Sequence, residues 1–251
     1  MSGHSKWSTI KHKKAALDSK RGKAWSKHAR AITMTAKMGG GNPNDNPRLR
    51  LAIDKAKADN MPKDTIEKAV KKGTGELEGE TYEDVLYEGY GPAGIAVMCR
   101  AMTDNRNRTS GEIRKIFERS GGSLGGPNCV AFQFTSKGVI VVARESVSED
   151  RMMEVALDAG ADDVSSSEHI HEITCRPEVF LDVKQRIEQA GVAVQSADIA
   201  MLAGSTISLD LTAARKVKRL IDALEEQDDV DAVYSKSDIP DDVVAALSKE
   251  A

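Results

Sequence analysis

The chain is predicted to be a multidomain α+β protein, with a small helical bundle at its N-terminal end and a larger body of mixed strands and helices. Three observations predict it. Its 251 residues leave room for two or three small domains. Charge divides the chain at one place: residues 1–75 hold 18 Lys and Arg against six acids, net +12, and the remainder holds 18 against 33, net −15, which together make the formal −3. Apolar periodicity changes at that same place, from helical spacing to strands alternating with helices, across the GTGELEG stretch at 73–79.

Composition narrows the class. Hydrophobic residues make up 40% and charged residues 30%, which argues against both a disordered chain and a membrane protein. With only ten aromatics, the cores must rely on Val, Ile, Leu, Met and Ala. No apolar stretch approaches the roughly 20 residues of a membrane span. The first residues run into Lys6, Lys11, Lys13 and Lys14 with no apolar segment behind them, so no secretory signal is expected. Cys99, Cys129 and Cys175 are odd in number and far apart, which favours free thiols in a reducing compartment. The expected location is the cytoplasm.

The bundle is justified element by element. Residues 3–16 lack a helical period, and only Trp7 and Ile10 are sizeable and apolar; they read as an arm, with Trp7 an anchor or a base-stacking group. From Asp18, the residues Trp25, Ala29, Ile32 and Ala36 form one stripe of a helix. Lys20, Lys23, Lys27, Arg30 and Lys37 fall on the opposite stripe, giving the helix an apolar back and a cationic front. Gly39, Gly40 and Gly41 end it. A second helix opens after Asn46 with Pro47 in its first turn and buries Leu49, Ala52, Ile53 and Ala56. A third starts at Pro62, buries Ile66, Ala69 and Val70, and ends at Gly73. Lysine, not Asn or Gln, dominates the cationic front. Lysine neutralises phosphates well and identifies bases poorly, so the chemistry favours a nucleic-acid backbone or a folded RNA surface over a specific operator. The bland alternative is a solvated lysine-rich face.

In the body, strands are expected at Val85–Tyr87, Ile95–Ala101 and Val130–Phe134, with a helix over 108–119 and the glycine-rich GGSLGG at 121–126. Strand Val139–Ala143, helix 149–159, a short strand at Asp162–Ser165, strand His169–Cys175, helix 177–190 and strand Val192–Met201 follow. That order, β-α-β-β-α-β, is ferredoxin-like. A strand at Thr206–Leu211, a helix over 212–226 and a strand at Ala232–Tyr234 are too few to stand alone. Pairing with the strands of 82–134 would make the ferredoxin-like unit an insertion, which the spacing suggests without settling.

No motif argues for catalysis. Residues 121–126 lack the Gly-Lys-Ser/Thr ending of a phosphate loop, and 73–79 lack the third glycine of a dinucleotide fingerprint. His169 and His171, two apart on a strand with Cys175 beyond, supply too few clear ligands for a metal site. In TDNRNRT (103–109), Asp104, Arg106 and Arg108 fit either a capped strand-to-helix turn or a pair of phosphate contacts. No catalytic residue, metal ligand, cofactor, small-molecule substrate or membrane partner is expected.

Gly3-His4-Ser5-Lys6-Trp7, Ile10-Lys11-His12-Lys13-Lys14, Lys20-Arg21-Gly22-Lys23, Asn60-Met61-Pro62-Lys63-Asp64, Tyr87-Glu88-Gly89-Tyr90-Gly91-Pro92 and Thr103-Asp104-Asn105-Arg106-Asn107-Arg108-Thr109 together resemble the YebC family, which includes the mitochondrial translational activator of cytochrome oxidase. The likeness runs end to end, through Gly160–Val164 and Leu224–Ile239. It implies three domains, the third ferredoxin-like and inserted in the second. On that basis 1–79 is the basic bundle with its arm, 80–135 with 205–240 the second domain, 136–204 the third, and 241–251 a C-terminal tail. Two departures stand out: Trp25 where the family usually has Phe, and Asn128-Cys129 in place of Gly and a small residue.

The resemblance implies one of two roles: a ribosome-associated factor aiding translation through stretches such as consecutive prolines, or a DNA-binding transcriptional regulator. Either way the partner is nucleic acid, ribosomal RNA or duplex DNA. The expected contacts are Lys6, Trp7, Lys11, His12, Lys13, Lys14, Lys20, Arg21, Lys23, Lys27, Arg30 and Lys37, with Arg106 and Arg108 as secondary phosphate contacts.

Overall fold

The computed structural model describes residues 18–249, with side chains from residue 22 to residue 247. Three helices open it: α1 (Asp18–Gly39), α2 (Pro47–Ala58) and α3 (Lys63–Thr74). Asn46 caps α2 by accepting the Leu49 N–H, and its amide donates to the carbonyls of Thr35 and Gly40, so one side chain joins the end of α1 to the start of α2. Gly75, at φ 82°, closes α3 in the left-handed conformation that glycine adopts without strain. Ile32, Ala36, Leu49, Ile53, Ala56, Met61 and Ile66 form the bundle core, with Trp25 packed at its edge. The Trp25 indole donates to the Asp59 carbonyl at 3.0 Å, a bond that Phe lacks.

The body is four layers deep. Strands β1 (Glu83–Tyr90), β2 (Ala96–Thr103), β3 (Ser123–Leu124) and β9 (Val230–Ser235) form one antiparallel sheet in the order β3-β1-β2-β9. Its outer face is covered by α4 (Arg106–Arg119), α7 (Leu211–Glu226) and α8 (Asp241–Lys249), through Ile113, Phe117, Val217, Leu220, Leu224 and Leu247. The second sheet, β5-β6-β4-β7, comprises β4 (Phe134–Ala143), β5 (Asp163–Ser166), β6 (Ile170–Cys175) and β7 (Val194–Ala203). All its neighbours are antiparallel, and α5 (Glu149–Ala159) and α6 (Phe180–Gln189) cover its outer face. Chain order and strand order together are those of a ferredoxin-like unit. Because β9 returns to pair with β2, this unit interrupts the first sheet's chain. The two sheets pack face to face through Met98, Val130, Phe134, Val139, Val141, Ile170, Ala200 and Tyr234.

The structure differs from the sequence expectations in three places. No strand covers Val130–Phe134: Ala131–Gln133 is a turn of 3-10 helix and β4 starts at Phe134. The cause is Glu88, buried on β1, whose carboxylate accepts the N–H groups of Asn128, Val130 and Ala131 at 2.7–2.8 Å and so takes them from any ladder. Burial alone would raise this carboxyl; the three backbone bonds outweigh burial and hold it below its ordinary value. Asn128 sits at φ 64°, a conformation in which glycine or asparagine is favoured, which accounts for one departure from the family pattern. The turn leaves Phe132 78% exposed. Second, the segment after Gly204 stays out of the main sheet: β8 (Ile207–Ser208) pairs in parallel with β10 (Ser237–Asp238). Third, the expected C-terminal tail is helical in its described part, and α8 buries Val243, Val244 and Leu247 in the core under α7.

Candidate nucleic-acid interface

The helix expected to carry the cationic front forms as one continuous α1, because Trp25, Ala29, Ile32 and Ala36 give it an apolar back to bury. Lys6, Trp7, Lys11, His12, Lys13 and Lys14 lie outside the described residues, as do the side chains of Lys20 and Arg21. The next three cations of the stripe, Lys23, Lys27 and Arg30, turn towards the body. They meet the acidic run Glu225–Asp231, where α7 passes into β9. Lys23 Nζ is 3.3 Å from an oxygen of Asp228. Lys27 Nζ donates to the Glu225 carbonyl at 2.5 Å. Arg30 donates to the Asp228 carbonyl, lies 3.3 Å from Asp229 Oδ1, and stands over the Tyr82 ring at 5.9 Å. Lys37, in the last turn of α1, is exposed.

Asp229 holds this junction together. Its side chain is buried, and its Oδ2 accepts from Thr109 at 2.6 Å, from Arg108 at 2.9 Å and from Thr103 at 3.3 Å. Burial pushes its carboxyl up, but the bonds from Thr109, Arg108 and Gln227 prevail and keep it below the usual carboxylate range. The Gln227 side chain shapes the turn by accepting the N–H groups of Asp229 and Val230. The 103–109 motif is explained by the same network. Asn105 caps α4 by accepting the Arg108 N–H, and Arg108 bridges Asp104 and Asp229. Of its two arginines, Arg108 is therefore tied down, while Arg106 remains exposed.

A cleft of about 480 Å³ opens between bundle and body here. Its cations, Lys23, Arg30 and Arg108, face the acids Glu112, Glu226, Asp228 and Asp229, so it is not positive overall. The bundle touches the body at a second place, where Lys55 Nζ meets Asp198 Oδ2 at 2.6 Å and Leu51 packs on the core beneath α5 and α6. The free cationic surface lies elsewhere. Lys68, Lys71 and Lys72 of α3 are exposed and make no ion pair among the described residues; Gly73, pressed against the last turn of α1, brings them near Lys37.

Sequence reasoning missed Asp229, Gln227 and Lys55. The signal for the first two was present as five acids within Glu225–Asp231, a density unusual between a helix and a strand. Nothing in the sequence pairs Lys55 with Asp198. Elsewhere, His171 is buried between the Ser166 hydroxyl and the Val147 carbonyl, whereas His169 is exposed before β6 begins. The two histidines do not converge. No described helix is long and apolar enough to cross a membrane.

Comparison with known proteins agrees with this architecture. The TACO1/YebC N-terminal domain matches residues 5–76, and the TACO1/YebC second and third domain matches residues 82–237. A probable transcriptional regulatory protein of Geobacter sulfurreducens is 52% identical over 239 residues, covering 95% of this chain and 96% of its own. Another so named, from Chlorobaculum parvum, is 51% identical over all 251 residues and 100% of both chains. The crystal structure of a conserved hypothetical protein from Aquifex aeolicus superposes with a TM-score of 0.82 at 47% identity, covering 90% of this chain and 93% of that one. Bundle, paired sheets and inserted ferredoxin-like unit thus occur together in a chain that belongs to the TACO1/YebC family.

Proposed function

We propose that this chain is a non-enzymatic, nucleic-acid-binding regulator of gene expression, and that it acts on translation by gripping ribosomal RNA with its bundle and arm. The observation that carries the reading is the +12 charge of the first 75 residues, supplied mainly by lysine. The contacts are Lys6, Lys11, Lys13, Lys14, Lys20, Lys23, Lys27 and Arg30 on phosphate, with Trp7 stacking on a base, His12, Arg21 and Lys37 flanking them, and Arg106 as an outlying contact. Arg108, held by two carboxylates, serves the fold of the junction instead.

A second reading, a transcriptional regulator on duplex DNA, is favoured by the names that relatives carry. Reversing Lys20, Lys23 and Lys27 to Glu is expected to abolish association with ribosomes while circular dichroism keeps its helical signal. Unchanged association with both RNA and duplex DNA would defeat the assignment. An operator-length duplex that displaces the protein from ribosomes at equal phosphate would favour DNA.

A further inference from the structure

We propose that the acidic turn between α7 and β9 is an intramolecular stand-in for phosphate: it occupies the cationic face of α1, and nucleic acid reaches that face only when the bundle swings away about residues 75–82. The inference rests on the nucleic-acid reading above and adds a closed state to it.

The chemistry of the contact carries it. Lys23, Lys27 and Arg30, spaced four and three apart, form one row along α1. Each meets oxygen acceptors of the turn: the carboxylates of Asp228 and Asp229, and the carbonyls of Glu225 and Asp228. Charged or polar oxygens at helical spacing are what a phosphodiester chain would offer to the same row. Occupation is competitive, because oxygens of the turn already sit against the Lys27 ammonium and the Arg30 guanidinium. The acids lining the cleft add repulsion against an incoming phosphate.

The contact is also built to open. At its outer edge Lys23 and Asp228 are each 61% exposed, a setting in which an ion pair holds weakly and salt screens it. Further in, Arg30 and Asp229 are shielded, and opening would separate that pair while leaving Asp229 its bonds from Arg108 and Thr109. At its second contact the bundle contributes Leu51 to a core of the body, beside the Lys55–Asp198 pair. The connector, residues 75–81, has no regular secondary structure and is exposed along its length, with glycines at 75 and 79. Tyr82, where the connector enters the body, stacks on Arg30, so the hinge is itself held by the row it would release. A polyanion that binds only the open form must shift the population towards it, and closing must weaken binding by the same factor.

The test uses the full chain with Lys23→Cys and Asp228→Cys in a Cys129→Ser background; Cys99 and Cys175 are buried. A short, reversible bis-methanethiosulfonate bridges the two new thiols, and a fluorescent RNA hairpin is the probe. Bridged protein is expected to bind the hairpin at least about tenfold more weakly than the same protein after dithiothreitol, within the usual range of allosteric coupling. Equal, measurable binding by both species overturns the closed state and leaves the nucleic-acid reading standing. Binding by neither removes the nucleic-acid reading and this proposal with it. Energy transfer between dyes on Lys57→Cys and Glu118→Cys, in the same Cys129→Ser background without the bridge, should fall when the hairpin is added. Unchanged transfer under saturating hairpin also overturns the proposal.

Discussion

Two joints hold this chain together, and they are made of different materials. Between the sheets, the contact is apolar: Ala96, Met98 and Tyr234 of one sheet meet Phe134, Val139, Val141, Ile170 and Ala200 of the other with almost no surface left to water. Between bundle and body, apart from Leu51, the contact is charged and polar: Lys23, Arg30 and Lys55 face Asp228, Asp229 and Asp198, and Lys27 donates to the Glu225 carbonyl. Burial of apolar surface stabilises by about 25 cal/mol per Å² and is barely affected by salt. The exposed pairs, Lys23–Asp228 and Lys55–Asp198, each contribute about 0–1 kcal/mol and are screened, whereas Arg30–Asp229 is shielded from solvent. One joint therefore makes two domains behave as a unit, while the other leaves a charged module removable.

The largest effect is expected at the apolar joint. Met98→Ala, which empties a fully buried site between the sheets, should cost about 2–5 kcal/mol in urea unfolding and leave the body unfolding in one transition. A cost under about 0.5 kcal/mol, the size of an ordinary surface substitution, would mean the sheets are as loosely joined as the bundle.

Next comes Glu88, which shapes the turn bordering that joint. Glu88→Gln should cost about 1–3 kcal/mol at neutral pH, since a neutral amide replaces a buried carboxylate that accepts three backbone N–H groups. The sign of the pH dependence follows from its lowered value. The stabilisation is complete above the unfolded glutamate value of about 4.3 and is lost as pH falls through the lower folded one. The gap between wild type and Glu88→Gln should therefore narrow on acidification below that value; a gap independent of pH would contradict the assignment.

At the ionic joint, 1 M salt cuts the screening length to about 3 Å, so scattering should show the bundle released while the body's urea midpoint hardly moves. Joint loss of both would show that the two contacts are one cooperative unit. The smallest expected effect is a single pair. A double-mutant cycle of Lys55→Ala with Asp198→Ala should give a coupling of about 0.2–1 kcal/mol. A larger value would place the bundle among the permanent contacts.

Much of this was legible in the sequence, for reasons that are local. The stripes of α1 and α2, the Pro47 start and the β-α-β-β-α-β order are periodicities and punctuation written within a few residues. Short-range reading failed where a distant group intervened. Val130–Phe134 is apolar enough for a strand, but Glu88, some 40 residues earlier, claims its N–H groups. The TDNRNRT motif admitted both capping and phosphate contact until Asp229, more than 100 residues later, tied Arg108 down.

By itself the sequence determined most of the helices and strands, and it placed the positive charge in the first 75 residues and the negative charge in the rest. Both follow from side-chain character and spacing, which need no partner to be read. Only the tertiary structure decided where the cationic row of α1 points: at a turn some 200 residues away in the chain, inside the same molecule. Periodicity sets the face on which a lysine sits, whereas the partner of that face is set by how two folded surfaces of opposite charge come together.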